Sequence, residues 1–314
     1  MPTHRLLGLH HVTATVDDAQ EDLDFCLDGL GLRLVKRTVN FDNHNVFHFY
    51  YGDERGTPGT IWTTFPYRGW GVPVGRKGAG QVTVTSFSVP RGSLEFWQAH
   101  LARHRAPATA PEARFGENAL TFEDPSGLGF ELVETASDPR IPWTGGGIGP
   151  DAAIRGLHSV TMLIPDPEST LALMTGALGF SVAGEEPGRT RLTVGGTGPG
   201  FVVDVAHGFD PGPAMNGLGT VHHVAFAIGT PEEQLALRED LLGRGVRVTE
   251  VRDRQYFQSI YFRTPGGVLF EVATMAPGFA VDEPLASLGQ SLKLPPWEEA
   301  DRPAIERGLP RVTR

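Results

Sequence analysis

The chain reads as short apolar runs with two alternating periods. In Val221-His222-His223-Val224-Ala225-Phe226-Ala227-Ile228 large and small side chains alternate, as expected of a buried strand. One face carries His222, Val224, Phe226 and Ile228, and the other carries His223, Ala225 and Ala227. The bulky face suits packing under helices. Small groups beside a histidine suit the wall of a cavity. Leu9-His10-His11-Val12-Thr13-Ala14-Thr15-Val16 is a second copy near the start of the chain. Stretches of helical character follow such strands at Asp17 to Leu30, Ser93 to His104, Asp166 to Leu178 and Pro231 to Leu242. Glycines at 29 and 31, 179 and 243 stand where helix C-caps are expected.

The pattern repeats. Gly8-Leu9-His10-His11-Val12-Thr13 recurs as Gly156-Leu157-His158-Ser159-Val160-Thr161 and, more loosely, as Thr220-Val221-His222-His223-Val224-Ala225. A glycine turn and a strand with a central carboxylate recur as Gly127-Leu128-Gly129-Phe130-Glu131-Leu132 and Gly267-Val268-Leu269-Phe270-Glu271-Val272. Gly200-Phe201-Val202-Val203-Asp204 is a weaker copy, and in the first unit Thr63 stands at the acid's place. The chain therefore divides into four βαβββ units, roughly 5–72, 78–137, 153–208 and 218–278. The expected class is α+β, with antiparallel strands curled into cups and helices outside. Proline- and glycine-rich joints at Pro142 to Pro150 and Pro211 to Gly219 suggest two halves, 1–145 and 151–280. A polar, proline-bearing tail over 281–314 is expected to wrap the surface.

Composition narrows the function. A length of 314 residues suits two ordinary domains or one large one. The net charge of -10 argues against nucleic acid or an anionic membrane surface as the main partner. No apolar run approaches the 18 or so residues of a membrane span, and Met1-Pro2-Thr3-His4-Arg5 lacks the apolar core of a signal peptide. The single cysteine, Cys26, fits a reducing cytoplasm and reads as a small buried hydrophobe, not a nucleophile. His44, His48, His100, His104 and His207 complete no motif and read as surface residues.

Leu9-His10-His11-Val12-Thr13, Tyr50-Tyr51-Gly52-Asp53 with Gly56-Thr57-Pro58-Gly59-Thr60, and the His222-His223 pair resemble the vicinal oxygen chelate superfamily. They are most similar to its hydroquinone-type ring-cleaving dioxygenases. The resemblance covers nearly the whole chain. It implies that two units build one cup, and that the first and last strand of each unit offer metal ligands. Counting positions on that basis gives His11 and Thr63 in the first unit, and Glu131 without a histidine in the second. The third gives Ser159 and Asp204, and the fourth gives His223 and Glu271. Only the first and fourth units together supply two histidines and a carboxylate. The first unit is therefore expected to dock on the fourth, with His11, His223 and Glu271 as ligands. The cup of the second and third units should be metal-free. His158 competes as a ligand, but it aligns with His10, and one residue of shift puts a strand side chain on the opposite face.

Two histidines and one carboxylate form the facial triad of non-haem iron(II) oxygenases, and Mn(II) would fit the same ligands. Glyoxalase-type sites usually take four protein ligands, and threonine at position 63 is a poor fourth. His10 and His222 should leave the ligand face by alternation, as core or interface histidines; the resemblance instead makes them neighbours of the substrate. Thr13 shares a face with His11 and can bond a ligand or substrate. Tyr261 alternates with Ile260 and Phe262 and so faces either the cup or a packed core. Arg254 is a surface cation or, as the resemblance implies, a partner of Tyr261 beside an anionic substrate. Trp62, Phe65 and Trp70 are candidates for an aromatic pocket wall or for ordinary core. The reaction implied is O2-dependent opening of a hydroquinone-like phenol. The alternatives are a catechol extradiol dioxygenase, a glyoxalase-type lyase or isomerase, and a non-catalytic binding protein. The sequence leaves room for a homo-oligomer.

Overall fold

The computed structural model describes residues 5–314, so Met1 to His4 of the N-terminal reading lie outside the described residues. Four βαβββ units follow one another. The first is β1 (Leu6–Val16), α1 (Ala19–Asp24), β2 (Arg33–Asn40), β3 (Asn43–Gly52) and β4 (Ile61–Pro66). The second is β5 (Gln81–Pro90), α2 (Leu94–Arg103), β6 (Glu112–Arg114), β7 (Glu117–Glu123) and β8 (Gly129–Thr135). The third is β9 (Gly156–Leu163), α3 (Glu168–Gly176), β10 (Ser181–Glu186), β11 (Arg189–Thr193) and β12 (Val202–Ala206). The fourth is β13 (Thr220–Ile228), α4 (Pro231–Gly243), β14 (Arg252–Asp253), β15 (Gln258–Arg263) and β16 (Leu269–Thr274).

The units pair first with fourth and second with third, as the ligand count required. One eight-stranded sheet runs β14-β15-β16-β13-β1-β4-β3-β2, and the other runs β10-β11-β12-β9-β5-β8-β7-β6. The seam of the first is the antiparallel pair β1 and β13, which brings residues from the two ends of the chain side by side. Alternation drives this. Val12, Ala14 and Val16 of β1, and Val224, Phe226 and Ile228 of β13, are fully buried on the face away from the cup. Phe226 packs on Phe270 and on Phe180 of the third unit, with ring centroids 4.9 and 5.3 Å apart. Burying each large apolar side chain stabilises by about 1.5–3 kcal/mol. No helix of the described residues is long and apolar enough to cross a membrane.

Helix ends follow local chemistry. Asp18 Oδ1 caps α1 by accepting from the backbone N–H groups of Gln20 and Glu21, each at 2.9 Å. Thr230 and Glu233 form a capping box at α4, with Pro231 at its first turn. The end of α4 departs from expectation. Gly243 stays in the helix, and Gly245, with φ of +81°, makes the left-handed turn. Gly31 and Gly179 turn as expected, at φ of +67° and +76°.

The second sheet commits its acids to arginines. Arg114 holds Glu131 through bonds of 2.8 and 2.6 Å, and Arg191 holds Asp204 through bonds of 2.8 and 3.0 Å. His158 lies on β9 in this sheet, bonded to Glu117 at 3.1 Å and to Ser159 Oγ at 3.0 Å. The tail returns over the first unit. Lys36, fully buried, binds Asp282 and Glu283 at 2.6 and 2.5 Å, and Arg314 pairs with Asp24 and Asp28.

Candidate metal centre and substrate pocket

The seam between β1 and β13 builds the site. Leu9 opposes Phe226 and His11 opposes Ala225, so His10 is an extra residue in β1. Thr13 opposes His223 and Ala14 opposes Val221, so His222 is an extra residue in β13. Each is a bulge of two residues against one, which re-aims a side chain. His10 Nδ1 therefore lies 2.9 Å from His11 Nδ1, and His222 Nδ1 lies 2.7 Å from His223 Nδ1. Alternation alone would have put the members of each pair on opposite faces. One proton fits between each pair of Nδ1 atoms, which leaves the Nε2 atoms of His11 and His223 to face the cup.

Those atoms meet Glu271. β16 lies parallel to β13 and sets Glu271 opposite Ala225. His223 Nε2 is 2.7 Å and His11 Nε2 is 3.3 Å from Glu271 Oε2, and the two Nε2 atoms are 3.3 Å apart. Ser259 on β15 donates to Oε1, which orients the carboxylate. Oε2 is buried and has no aligned hydrogen bond. Three lone-pair atoms this close repel one another unless a cation or proton lies between them. Two nitrogens and one oxygen in that arrangement fit a divalent transition metal. Burial opposes ionisation of Glu271, but the adjacent His11 and His223 outweigh it and hold its carboxyl well below the usual range. Burial also lowers the pKa values of His10 and His222, each to about 3, so both stay neutral near pH 7.

A cavity of about 400 Å³ opens above these atoms. Its walls include His48, Tyr50, Phe65, Phe257, Arg254 and Tyr261. Arg254 Nε donates to the Tyr261 hydroxyl at 3.0 Å, and Arg254 also pairs with Asp42 at 3.1 Å. Burial and the neighbouring Glu271 raise the Tyr261 pKa well above its ordinary value, so it keeps its proton. Thr13 lies on the His11 face, as expected, and accepts from Thr63 Oγ1 at 2.9 Å. Thr63 Oγ1 is in turn 2.8 Å from His48 Nε2. Thr63 is thus tied into a side-chain chain.

The remaining candidates divide, and one expectation fails outright. His48 is not a surface residue. It is 8% exposed and lies between the rings of Tyr50 and Phe65, at centroid distances of 4.0 and 4.2 Å. Burial, then the positive field of its neighbours, holds its pKa well below the ordinary histidine value. Its position was legible: alternation along Val46-Phe47-His48-Phe49-Tyr50 puts His48 and Tyr50 on one face. His44 is partly exposed and pairs with Glu298 at 3.0 Å. His100 and His104 are half-buried neighbours on α2 and its cap, with ring centroids 4.6 Å apart. Of the three aromatic candidates, only Phe65 lines the cavity. Trp62 packs into the core on Phe130, with centroids 5.0 Å apart, because it points to the face opposite Thr63. Trp70 is 46% exposed and outside the pocket wall. Cys26 is buried, beside Asp22. Ser259, Asn40, Asp42 and Phe257 were not singled out from the sequence; Asn40, Asp42 and Phe257 sit in turns or at a strand end, where no period marks them, whereas Ser259 lies in β15 two residues from Tyr261 and alternation places it on the same face.

Comparison with known proteins agrees with this fold. Residues 8–132 and 156–272 match the family model of the glyoxalase/bleomycin resistance protein/dioxygenase superfamily. The chain is 43% identical to MhqO of Bacillus subtilis, whose name assigns it provisionally to the ring-cleaving dioxygenases, over 97% of this chain and 96% of that one. It is 39% identical to the chlorohydroquinone/hydroquinone 1,2-dioxygenase of Sphingobium indicum, again over 97% and 96%. A crystal structure of a provisionally designated Bacillus subtilis dioxygenase superposes with a TM-score of 0.93 at 42% identity, over 98% of both chains. Glyoxalase I of Zea mays shares the fold at a TM-score of 0.63 and 15% identity, covering 87% of this chain and 92% of that one. With four βαβββ units paired first to fourth, and a family match across both halves, the chain belongs to the glyoxalase/bleomycin resistance protein/dioxygenase superfamily.

Proposed function

We propose that this protein is an Fe(II)-dependent dioxygenase that opens the ring of a hydroquinone-like phenol with O2. The observation that carries the reading is the convergence of His11 Nε2, His223 Nε2 and Glu271 Oε2 at the floor of an aromatic-lined cavity. These three residues would hold the metal, and Mn(II) would take the same ligands. The metal when bound supplies adjacent open positions for a phenolate oxygen and for O2. The similarity to a hydroquinone 1,2-dioxygenase over nearly the full length supports the phenol class.

The chain's own groups suit that task. Arg254 sets a fixed positive charge at the wall, which favours an anionic phenolate. The Tyr261 hydroxyl accepts from Arg254 Nε and keeps its own proton to donate to a substrate oxygen. Thr63 spends its proton on Thr13, so His48 Nε2–H must donate to Thr63. Neutral His48 then carries its lone pair on Nδ1, free to accept a hydrogen bond from a substrate hydroxyl without taking up the proton. His10 and His222 act as positioning residues by fixing the tautomers of His11 and His223. Thr63, committed to His48 and Thr13, offers no fourth ligand, which disfavours glyoxalase-type chemistry. The reading places the enzyme in the cytoplasm, in keeping with its one buried thiol.

Anaerobic loading with Fe(II), followed by oxygen uptake on hydroquinones and catechols side by side, tests this. One O2 consumed per hydroquinone is the expected result. Preference for catechols would overturn the substrate class, and binding without turnover would overturn the reaction.

A further inference from the structure

A second cavity, of about 260 Å³, adjoins the first behind Phe257. Phe257 lines both spaces. Its ring lies 5.3 Å from that of His11 on one side and 5.0 Å from that of His10. The inner end is apolar: Ile61, Phe257 and Phe279 are each at most 3% exposed and belong to one small buried cluster. The polar atoms there are already satisfied. His10 bonds His11 and the Thr274 backbone, and the Tyr256 hydroxyl bonds Asp282 at 3.0 Å. Exposed Thr57, Arg55 and Met275 stand at the outer end. A buried water needs two to four polar partners, and the inner end offers none free.

We propose that this cavity is a dioxygen site that feeds the candidate metal centre past the edge of Phe257. The inference rests on the dioxygenase reading above. A phenol seated in the larger cavity covers the open side of the three ligand atoms. The second reactant then needs another approach. O2 is small and apolar, partitions into dry apolar space, and asks for no hydrogen bond. His10 lines this cavity with its ring nitrogens held by His11 and by the Thr274 backbone, so it offers no free polar atom to water.

Xenon pressurisation of crystals of the full chain is the test, because xenon occupies apolar cavities of this size without any chemistry. Xenon density between Phe257 and Phe279 is expected in the wild type. Leu285 also lines this cavity, and Leu285→Trp and, separately, Met275→Trp should fill or cap it and abolish that density. Either should raise KM for O2 at least fivefold while changing KM for the phenol less than twofold. No xenon in the wild-type cavity would overturn the proposal. So would an unchanged KM for O2 in a variant whose crystal structure shows the cavity filled. Xenon in place with no oxygen uptake on any phenol supports the gas site and overturns the dioxygenase reading instead.

Discussion

His11 Nε2 and His223 Nε2 stand 3.3 Å apart, although 212 residues separate them in the chain. The seam between β1 and β13 makes this contact, and Glu271 closes it from the neighbouring strand. Replacing any of the three should remove a donor atom from a three-donor set. His11→Ala, His223→Ala and Glu271→Gln are each expected to lower bound iron more than 100-fold in affinity, with activity lost in parallel. Metal analysis after dialysis against a weak chelator checks this. Full iron retention in any one variant would remove that residue from the ligand set.

His48 is expected to orient the substrate through hydrogen bonds and to leave the metal ligands unchanged. His48→Phe keeps the ring between Tyr50 and Phe65 but removes the Nε2–H donated to Thr63. Losing a buried hydrogen-bond partner costs about 1–3 kcal/mol, so kcat should fall by roughly 5- to 150-fold while iron content stays level. A variant with wild-type kcat would show that the Thr13-Thr63-His48 chain is only packing.

Arg254→Lys keeps a charge and loses the fork that meets Tyr261 and Asp42. The KM for an ionisable phenol should rise about tenfold, equivalent to about 1.4 kcal/mol, with a smaller change in kcat. Steady-state kinetics at saturating O2 measures the split.

How much of this was legible follows from particular residues. The repeated Gly-Leu-His segments and the glycine-led acidic strands carried the four units. The distribution of His and Glu over those units then implied which pair shares a cup. The bulges at His10 and His222 were not legible, because a bulge is a property of two strands in register and the sequence shows one strand at a time. Of the two readings open for Trp62, alternation along β4 selects the core, while His48, read as a surface residue, lies on the Tyr50 face of β3. Phe257 lies in a turn whose role depends on both neighbouring cavities, so no local pattern marks it.

Two acids outside the site, the buried Asp22 and the partly buried Asp124, give a pH dependence of stability. Burial pushes the Asp22 carboxyl up to about 6 and the Asp124 carboxyl up to about 7, each from an ordinary value of 3.8. The folded state therefore binds these protons more tightly than the unfolded state. Their contribution is fully present below pH 3.8 and is lost as pH rises through 6 and 7. Asp124→Asn keeps an oxygen for the Leu128 N–H, now bonded at 2.7 Å, and stays neutral throughout. Its melting temperature should gain on the wild type between about pH 4 and 7 and level off above that. A pH-independent difference would contradict this.

The tail is held by a buried cation. Lys36→Met leaves Asp282 and Glu283 without their partner. Breaking a buried pair on one side costs about 3–5 kcal/mol. Denaturant unfolding should show that loss, with faster proteolysis after residue 281. Equal stability would mean that the clasp is dispensable.

The central claim is that this seam holds iron for ring opening. Crystals grown anaerobically with Fe(II), and measured on both sides of the iron absorption edge, test it most directly. The account predicts one anomalous peak within bonding distance of His11 Nε2, His223 Nε2 and Glu271 Oε2. A peak at His158 in the second sheet, or no peak in crystals of protein that turns over hydroquinone, would contradict it.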